Sequence, residues 1–154
     1  MKKFSVLLVA ILALMMLFVS CENEPKERVA TMKDGEIVTA LYSSAIPLAL
    51  FPGGVELKGG KVEVLDTSAT FTGAECEYHN GKKVILNGTL SWKLDEKGGD
   101  FALDLGTGTK YDGENHTLVA NVVVKMSEGG YPVDFDSYEF MLDGVILTDF
   151  VFDL

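Results

Sequence analysis

Apolar and polar residues alternate along several stretches of the chain beyond Gly53. Between residues 84 and 94 the even-numbered positions are apolar apart from one glycine, whereas the odd-numbered positions are mostly polar. Residues 101–105 and 118–126 repeat this period of two. Alternation of this kind is typical of antiparallel strands that pack one face on a core and expose the other to solvent.

Short glycine-containing segments separate the alternating runs, at 79–82, 97–100, 112–113 and 128–130. The Asn-Gly pair in the first of them is a strong signal for a tight hairpin. No segment between the runs is long enough to form a helix that crosses over between parallel strands. The pattern therefore predicts a mainly β fold, an antiparallel meander of about seven or eight strands that forms a sandwich or a small barrel.

Two similar segments, 84–90 and 140–146, place an Asn-Gly or Asp-Gly pair among apolar residues. Because the apolar alternation continues through the glycine in both, we expect Gly88 and Gly144 to lie inside long strands, where glycine usually marks a bulge or a bend. The chain would then end in a single strand over 138–154. Its expected core side chains are Phe150, Phe152 and Leu154, with Asp149 and Asp153 facing water.

One segment has helical spacing instead. Between residues 37 and 46 apolar residues recur every three or four positions and share one stripe of a helix. Thr31 or Asp34 would cap its start, and Pro47 should end it near 44–46. The pattern predicts one short helix near 34–46. We expect it to pack on the sheet, because its polar face lacks the lysines and arginines typical of helices that lie on membranes.

The chain begins with a short hydrophobic segment that follows two lysines. Lys2 and Lys3 precede an apolar run over 4–19, and Ser20 and Cys21 come next. This is the layout of an export signal with a small residue at the cleavage point. The apolar run is shorter than the roughly 20 residues that a membrane-spanning helix needs.

The segment Phe18-Val19-Ser20-Cys21 resembles the lipobox of bacterial lipoproteins, with Phe18 where that family prefers leucine. The resemblance implies that Cys21 is the lipid attachment site and that residues 1–20 are a cleaved signal peptide. It also implies a location in the bacterial cell envelope, anchored to a membrane through N-terminal acyl chains. The outer membrane is favoured, with the domain in the periplasm or on the cell surface. Plain secretion and a retained anchor are the alternatives.

The remainder of the chain has the length of one domain. Residues 21–33 are interpreted as the lipidated cysteine and a flexible tether, because 22–28 are charged and contain a proline. Residues 34–154 would form a single β-rich globular domain. The formal net charge is −10, and removal of a signal with two lysines and no acidic residue would leave −12. Nucleic acids and anionic lipid headgroups repel so acidic a protein, so we expect no nucleic-acid partner.

The chain carries little that suggests a metal or a cofactor, and we expect neither. His79 and His116 lie in separate turn regions without the spacing of metal ligands. Asp134 and Asp136 would share a strand face and are the candidates for calcium. The further oxygen ligands considered are Asp112, Glu114 and Asn115. An ordinary polar strand face explains these residues more simply.

Two residues with distinctive side chains are assigned to the core. Cys76 alternates with Ala74 and Tyr78, so its thiol should point inward and behave as a small apolar group. An acylated Cys21 would leave Cys76 without an intramolecular disulfide partner. Trp92 lies on the apolar face of the clearest strand. Neither residue belongs to a pattern of nucleophile, base and orienting group.

These observations favour a membrane-anchored lipoprotein whose extracytoplasmic domain is not an enzyme. Its role would be binding or structural, with an envelope protein or a glycan as partner. The alternative is a carrier of a small apolar ligand, which resembles lipocalins only as a meander, since closed barrels of about eight strands can hold one such ligand. A wide apolar interior would support the carrier, and a packed core would support the binding domain.

Overall fold

A computed structural model describes residues 24–127 and 132–150 of the chain. Within them, one mixed sheet of ten strands packs against one helix. The elements in chain order are β1 (Lys26–Val29), α1 (Met32–Leu50), β2 (Gly59–Leu65), β3 (Ser68–Glu77), β4 (Lys83–Leu94), β5 (Gly98–Leu105), β6 (Lys110–Tyr111), β7 (Glu114–Asn115), β8 (Leu118–Met126), β9 (Pro132–Leu142) and β10 (Val145–Thr148).

The main strands form a meander. They lie in the order β2-β3-β4-β5-β8-β9-β10, and each pairs antiparallel with its neighbour. β6 and β7 form a small hairpin on β4, and β1 completes the sheet by pairing in parallel with β10. The mainly β class with a single helix is confirmed. The sheet has more strands than the seven or eight predicted. The short strands β1, β6 and β7 were not predicted because their alternation of apolar and polar residues is too short to detect.

The sheet formed by the described residues is not closed. β1 and β2 lie at its two ends and pair with β10 and β3, not with each other. The small-barrel form of the prediction is therefore wrong. Burial of the apolar face does not require closure here, because α1 covers that face and forms the second layer of the domain.

The helix begins at Met32, after Thr31, which is one of the two predicted caps and lies before the predicted start near residue 34, and it ends later than predicted. Thr31 is the N-cap: its Oγ1 accepts a hydrogen bond from the Asp34 backbone N–H, and its own N–H donates to Asp34 Oδ2 at 2.8 Å. The helix continues through Pro47 to Leu50, so the predicted end near 44–46 is wrong. Proline removes only one hydrogen bond of the last turns, and the next two residues are buried in the core, which stabilises the added turn.

β1 lies in the segment that was interpreted as a tether. Its residues pair with β10, and α1 starts at Met32, so the tether prediction is wrong for residues 26–33. The segment buries almost no side chain, which is why its composition suggested a spacer. The backbone ladder to β10 holds it, together with an ion pair in which Arg28 donates to both carboxylate oxygens of Asp34.

The two glycine segments differ from each other. Gly88 lies inside β4 beside a shift in register between β3 and β4, as the prediction of a bulge required. The prediction for Gly144 is wrong, because Asp143 and Gly144 form the two-residue turn between β9 and β10. Their φ angles of 51° and 77° are both positive, which is the conformation of a type I′ hairpin turn.

The core lies between α1 and the face of the sheet that α1 covers, which we call the inner face. Cys76 is buried there, as predicted. Trp92 also belongs to the inner face, but it is only half-buried. Cys76 is buried more deeply than Trp92 because of the position of the helix. Ser44 of α1 contacts Cys76, which lies opposite the start of β4, whereas Trp92 lies near the end of β4.

The last described residues follow the prediction in part. Phe150 is buried and its ring centroid lies 4.9 Å from that of Phe140, while Asp149 is exposed. The turn at residues 143–144 changes the phase of the strand, so Leu147 is buried more deeply than Ile146. The predicted positions of Phe152, Asp153 and Leu154 lie outside the described residues.

Candidate binding surface

The face of the sheet opposite α1 carries no further layer in the described part of the chain. We call it the outer face. Successive residues of a strand point to opposite faces, so the outer face presents the residues that alternate with the core positions. On the central strands these are mostly polar and exposed: Thr89, Ser91, Lys93, Asp100, Ala102, Asp104, Asn121 and Lys125.

A shallow depression lies in the middle of the outer face. One cavity of about 290 Å³ is lined by residues of β4, β5 and β8, among them Lys93, Asp100 and Asn121. A second cavity of about 210 Å³ adjoins it and shares Lys93, Asp100 and Val123 with the first. We call the two together the outer depression.

The strand register explains why the outer depression forms. Ser91 of β4, Ala102 of β5 and Asn121 of β8 lie side by side across three neighbouring strands. In the adjacent row, Lys93 of β4 lies opposite Asp100 of β5. The methyl group of Ala102 is much shorter than the charged and amide side chains around it, which leaves a hollow at its position.

Three polar side chains around the outer depression are free to bind a ligand. The side chains of Lys93, Asp100 and Asn121 make no hydrogen bond or ion pair within residues 24–127 and 132–150. This holds although Lys93 and Asp100 have opposite charges and are direct cross-strand neighbours. By contrast, Lys125 at the border of the depression forms an ion pair with Asp136 at 2.8 Å. An ammonium, a carboxylate and an amide together supply both donors and acceptors.

Reasoning from the sequence placed these strands correctly but did not identify this site. The available signal was Ala102, a small apolar residue at an outward position of an alternating run. The alternation within each strand could not show that Asn121 lies next to Ala102. In the chain, β6 and β7 separate β5 from β8, but in the sheet β5 and β8 are neighbours.

A second group of polar residues connects the start of α1 to the sheet. Lys82 Nζ and the hydroxyl of Tyr111 both donate to Glu36 Oε1, at 2.7 and 2.6 Å, and Asn80 donates to the Tyr111 hydroxyl at 2.8 Å. The hydrogen bonds from Lys82 and then Tyr111 hold the pKa of Glu36 below its ordinary value. Glu36 therefore stays ionised and satisfied, unlike a general base that must take up a proton near neutral pH.

His116 makes a further contact between loops. Its Nδ1 lies 2.9 Å from Asp143 Oδ2, and Asp143 also accepts a hydrogen bond from the Thr117 N–H. Its Nε2 is buried without a hydrogen-bond partner in the described part of the protein, 3.9 Å from a Glu114 oxygen. A catalytic triad needs a nucleophile within hydrogen-bond reach of that nitrogen, and the described residues place none there.

The residues considered for calcium are not brought together. Asp136 pairs with Lys125 on the outer face, whereas Glu114 pairs with Lys33 at the start of α1. Among the described residues, no group of three or more His, Cys, Asp or Glu side chains is arranged to hold a metal ion. Cys21, the predicted lipid attachment site, lies outside the described residues.

Across residues 24–127 and 132–150, no helix combines the length and apolar character needed to span a membrane. The chain matches no protein-family model, no curated protein and no solved structure.

Proposed function

We propose that this chain is a non-enzymatic bacterial lipoprotein, anchored through an acylated Cys21, that binds a hydroxyl-rich glycan of the cell envelope at the outer depression. The anchoring is supported by the N-terminal lysines, the apolar run and the Ser20-Cys21 pair. The binding role is supported chiefly by one observation: three polar side chains surround an open depression and make no hydrogen bond or ion pair among the described residues.

The chemistry of these side chains suits hydroxyl groups. The Asp100 carboxylate accepts hydrogen bonds from neighbouring hydroxyls, the Lys93 ammonium donates to hydroxyl and ring oxygens, and the Asn121 amide does both. Hydrogen bonds that involve a charged group are the stronger ones, at about 1.5–3 kcal/mol each. The hollow at Ala102 admits the edge of a sugar ring between them. None of these groups is held against a base or a nucleophile, so the site binds without a chemical step.

An envelope protein fits this surface less well. Protein interfaces concentrate their binding energy in Trp, Tyr and Arg side chains. Trp92 and Phe101 border the outer depression, but both belong to the inner face by strand alternation. A carrier of an apolar ligand fits less well again, because the described sheet is open and its apolar face is packed under α1.

The proposal is tested by direct binding to envelope glycans. The full-length protein in detergent micelles is incubated with insoluble peptidoglycan and, in parallel, with soluble envelope polysaccharides, and binding is measured by co-sedimentation and by calorimetry. Asp100→Ala and Asn121→Ala should each weaken binding about tenfold, the loss of about one hydrogen bond to a ligand. Asp104→Ala is the matched control, since Asp104 is exposed on the same face and strand but does not line the outer depression.

Each outcome decides a part of the proposal. Equal binding by the Asp100 and Asp104 variants would show that the outer depression is not the site. Failure of the wild-type protein to bind any of these glycans would reject the glycan as partner. If Asp100→Ala loses binding to a defined envelope protein and Asp104→Ala keeps it, the outer depression recognises a protein instead of a glycan.

A further inference from the structure

β2 is an edge strand whose outer side is open within the described part of the sheet. It pairs with β3 on one side only. Val64 and Leu65 are unusually exposed for their type, at 41% and 71%. The segment that leads into β2 also exposes Phe51 and Leu57. An edge that combines free peptide groups with exposed apolar side chains is a template for pairing with another strand.

The hairpin between β2 and β3 determines which peptide groups of β2 are free. Leu65 lies opposite Ser68 across a two-residue turn. The closing pair of such a hairpin is hydrogen-bonded, and bonded and non-bonded pairs alternate along the ladder. Val62 and Val64 therefore direct their N–H and C=O groups away from β3, toward the open side of the sheet.

The charges of β2 complement those of a second β2 in one antiparallel register. If a twofold axis passes through Val62, Lys61 lies opposite Glu63 of the second copy, and Glu63 lies opposite Lys61 of that copy. With this axis, Val62 pairs with Val62 of the second copy. The N–H and C=O groups of Val62 that do not bond to β3 would then form hydrogen bonds with their counterparts in that copy. Shifting the axis to Glu63 would place two carboxylates opposite each other, which is unfavourable.

The side-chain sizes agree with the same register. Val64 lies opposite Gly60 of the second copy, and regular pairing ends there because the register of β2 shifts between Gly59 and Lys61. Gly60 has a φ of +68°, and a Cβ there would come 2.0 Å from the carbonyl oxygen of Gly73, so no side chain fits at this position. Val64 thus meets a residue without a side chain, so the two strands can approach each other there without a clash.

We infer that β2 is a self-association edge, at which two copies of this chain pair their β2 strands antiparallel about Val62. The inference does not depend on the proposed glycan site, which lies on β4, β5 and β8. A strand pair of this length buries less than the roughly 1,200 Å² of a standard interface, so the dimer is weak in solution. If Cys21 is acylated as proposed, the anchor confines both copies to one membrane, which raises their effective concentration and favours the pairing.

The pairing is tested by trapping it with a disulfide. Cα atoms of a hydrogen-bonded antiparallel pair lie about 5.5 Å apart, within the range that a disulfide spans. Full-length Val62→Cys protein in detergent micelles should therefore form a covalent dimer under mild oxidation. Glu27→Cys, on the exposed edge strand β1, is the control and should remain monomeric. Native Cys76 is buried and should not contribute.

Charge variants then test the register. Adding Lys61→Glu to Val62→Cys turns both attractive pairs into repulsive ones and should weaken association about tenfold, or about 1.4 kcal/mol. The double exchange Lys61→Glu/Glu63→Lys restores opposite charges and should restore the dimer yield. A Val62→Cys dimer no more abundant than that of Glu27→Cys would reject the inference. Failure of the double exchange to restore the dimer would reject the register about Val62.

Discussion

At the scale of single residues, Asp34 joins three parts of the structure. It belongs to the first turn of α1, forms the capping box with Thr31, and accepts two hydrogen bonds from Arg28 of β1. The hydrogen bond from Arg28, followed by those from Thr31, holds the pKa of Asp34 well below its ordinary range, against the opposing effect of burial. Asp34 therefore connects the edge strand β1 to the helix only in its ionised form.

Asp34→Asn should lower the free energy of unfolding by about 2 kcal/mol at neutral pH, because it removes an ionised cap and one partner of an ion pair. A lowered native pKa contributes stability that is complete above the unfolded pKa of about 4 and is lost as the pH falls below it. The difference between wild type and variant should therefore shrink toward pH 2. Urea unfolding across this pH range measures it. A difference that does not change with pH would contradict the account.

Glu114→Gln is the matched control for Asp34→Asn. Glu114 also pairs with a basic residue, Lys33, but both side chains are largely exposed. Exposed ion pairs contribute little, about 0–1 kcal/mol. The free energy of unfolding of Glu114→Gln should stay close to that of wild type across the pH range. At neutral pH, where Asp34→Asn lowers this free energy, the two variants should therefore differ.

Cys76 should react slowly with thiol reagents in the folded protein. The residue is 1% exposed, and burial raises the pKa of its thiol, so little thiolate forms and the sulfur is not accessible. Spectrophotometric titration with a disulfide reagent should show delayed labelling in buffer and complete labelling in denaturant. The Cys76→Ser variant lacks the Cys76 thiol, so any labelling that it still shows comes from Cys21. Rapid labelling of Cys76 in buffer would mean that β3 does not face the core at this position.

At the scale of elements, the sheet depends on a polar contact in the middle of β4. Asn87 accepts a hydrogen bond from the Gly73 N–H at 2.8 Å and donates to the Gly108 carbonyl at 2.9 Å. Its backbone also exchanges hydrogen bonds with the Thr109 hydroxyl. One side chain thus fixes the bulge of β3 and the loop that follows β5. The bulge requires Gly88 next to it, where the strands approach closely.

Gly88→Ala should destabilise the fold by about 3 kcal/mol, since it adds both backbone strain and a steric clash. Gly88 has a φ of +146°, and a Cβ there would lie 2.0 Å from the Asp104 carbonyl oxygen. Gly106→Ala is the control, because no atom lies within 4 Å of a Cβ at that position. Denaturation followed by the fluorescence of Trp92 compares the two variants. Equal stability of both would contradict the close approach of β4 and β5.

At the scale of the whole molecule, β1 determines how far the domain can lie from its proposed anchor. Strand pairing begins at Lys26, five residues after Cys21. Five extended residues span at most roughly 18 Å. An acylated Cys21 would therefore hold the domain close to the membrane, with the β1 edge nearest to it. The strongly negative charge would limit direct contact with anionic headgroups.

Cys21→Ser should release the protein from the membrane fraction or leave an uncleaved precursor. Acyl chains contribute about 0.8 kcal/mol per buried methylene, and stable anchoring takes more than one chain. Cell fractionation with gel migration measures both effects. Cys76→Ser, which changes a buried thiol, should fractionate like wild type. A Cys21→Ser protein that fractionates and migrates like wild type would reject the lipoprotein proposal.

Several features of this protein could be predicted from the sequence because they depend on neighbours within one element. The period of two predicts the strands, the polar residues before the apolar stripe predict a helix cap at Thr31 or Asp34, and alternation predicts the burial of Cys76. The helix end was wrong because local rules for Pro47 omit the burial of the residues that follow it. The Asp143-Gly144 turn was missed because residues 145–147 are all apolar, so the alternation can be read through the turn although the buried positions change phase there.

Only the tertiary structure decided which strands meet. The parallel pairing of β1 with β10 joins residues far apart in sequence, and it consists of backbone hydrogen bonds that leave no side-chain pattern. The place of β8 beside β5 brings Asn121 to Ala102 and so creates the outer depression. Because the sheet stays open, β2 is left as an edge with exposed apolar residues. Local sequence determined the elements, and long-range pairing determined the surfaces they expose.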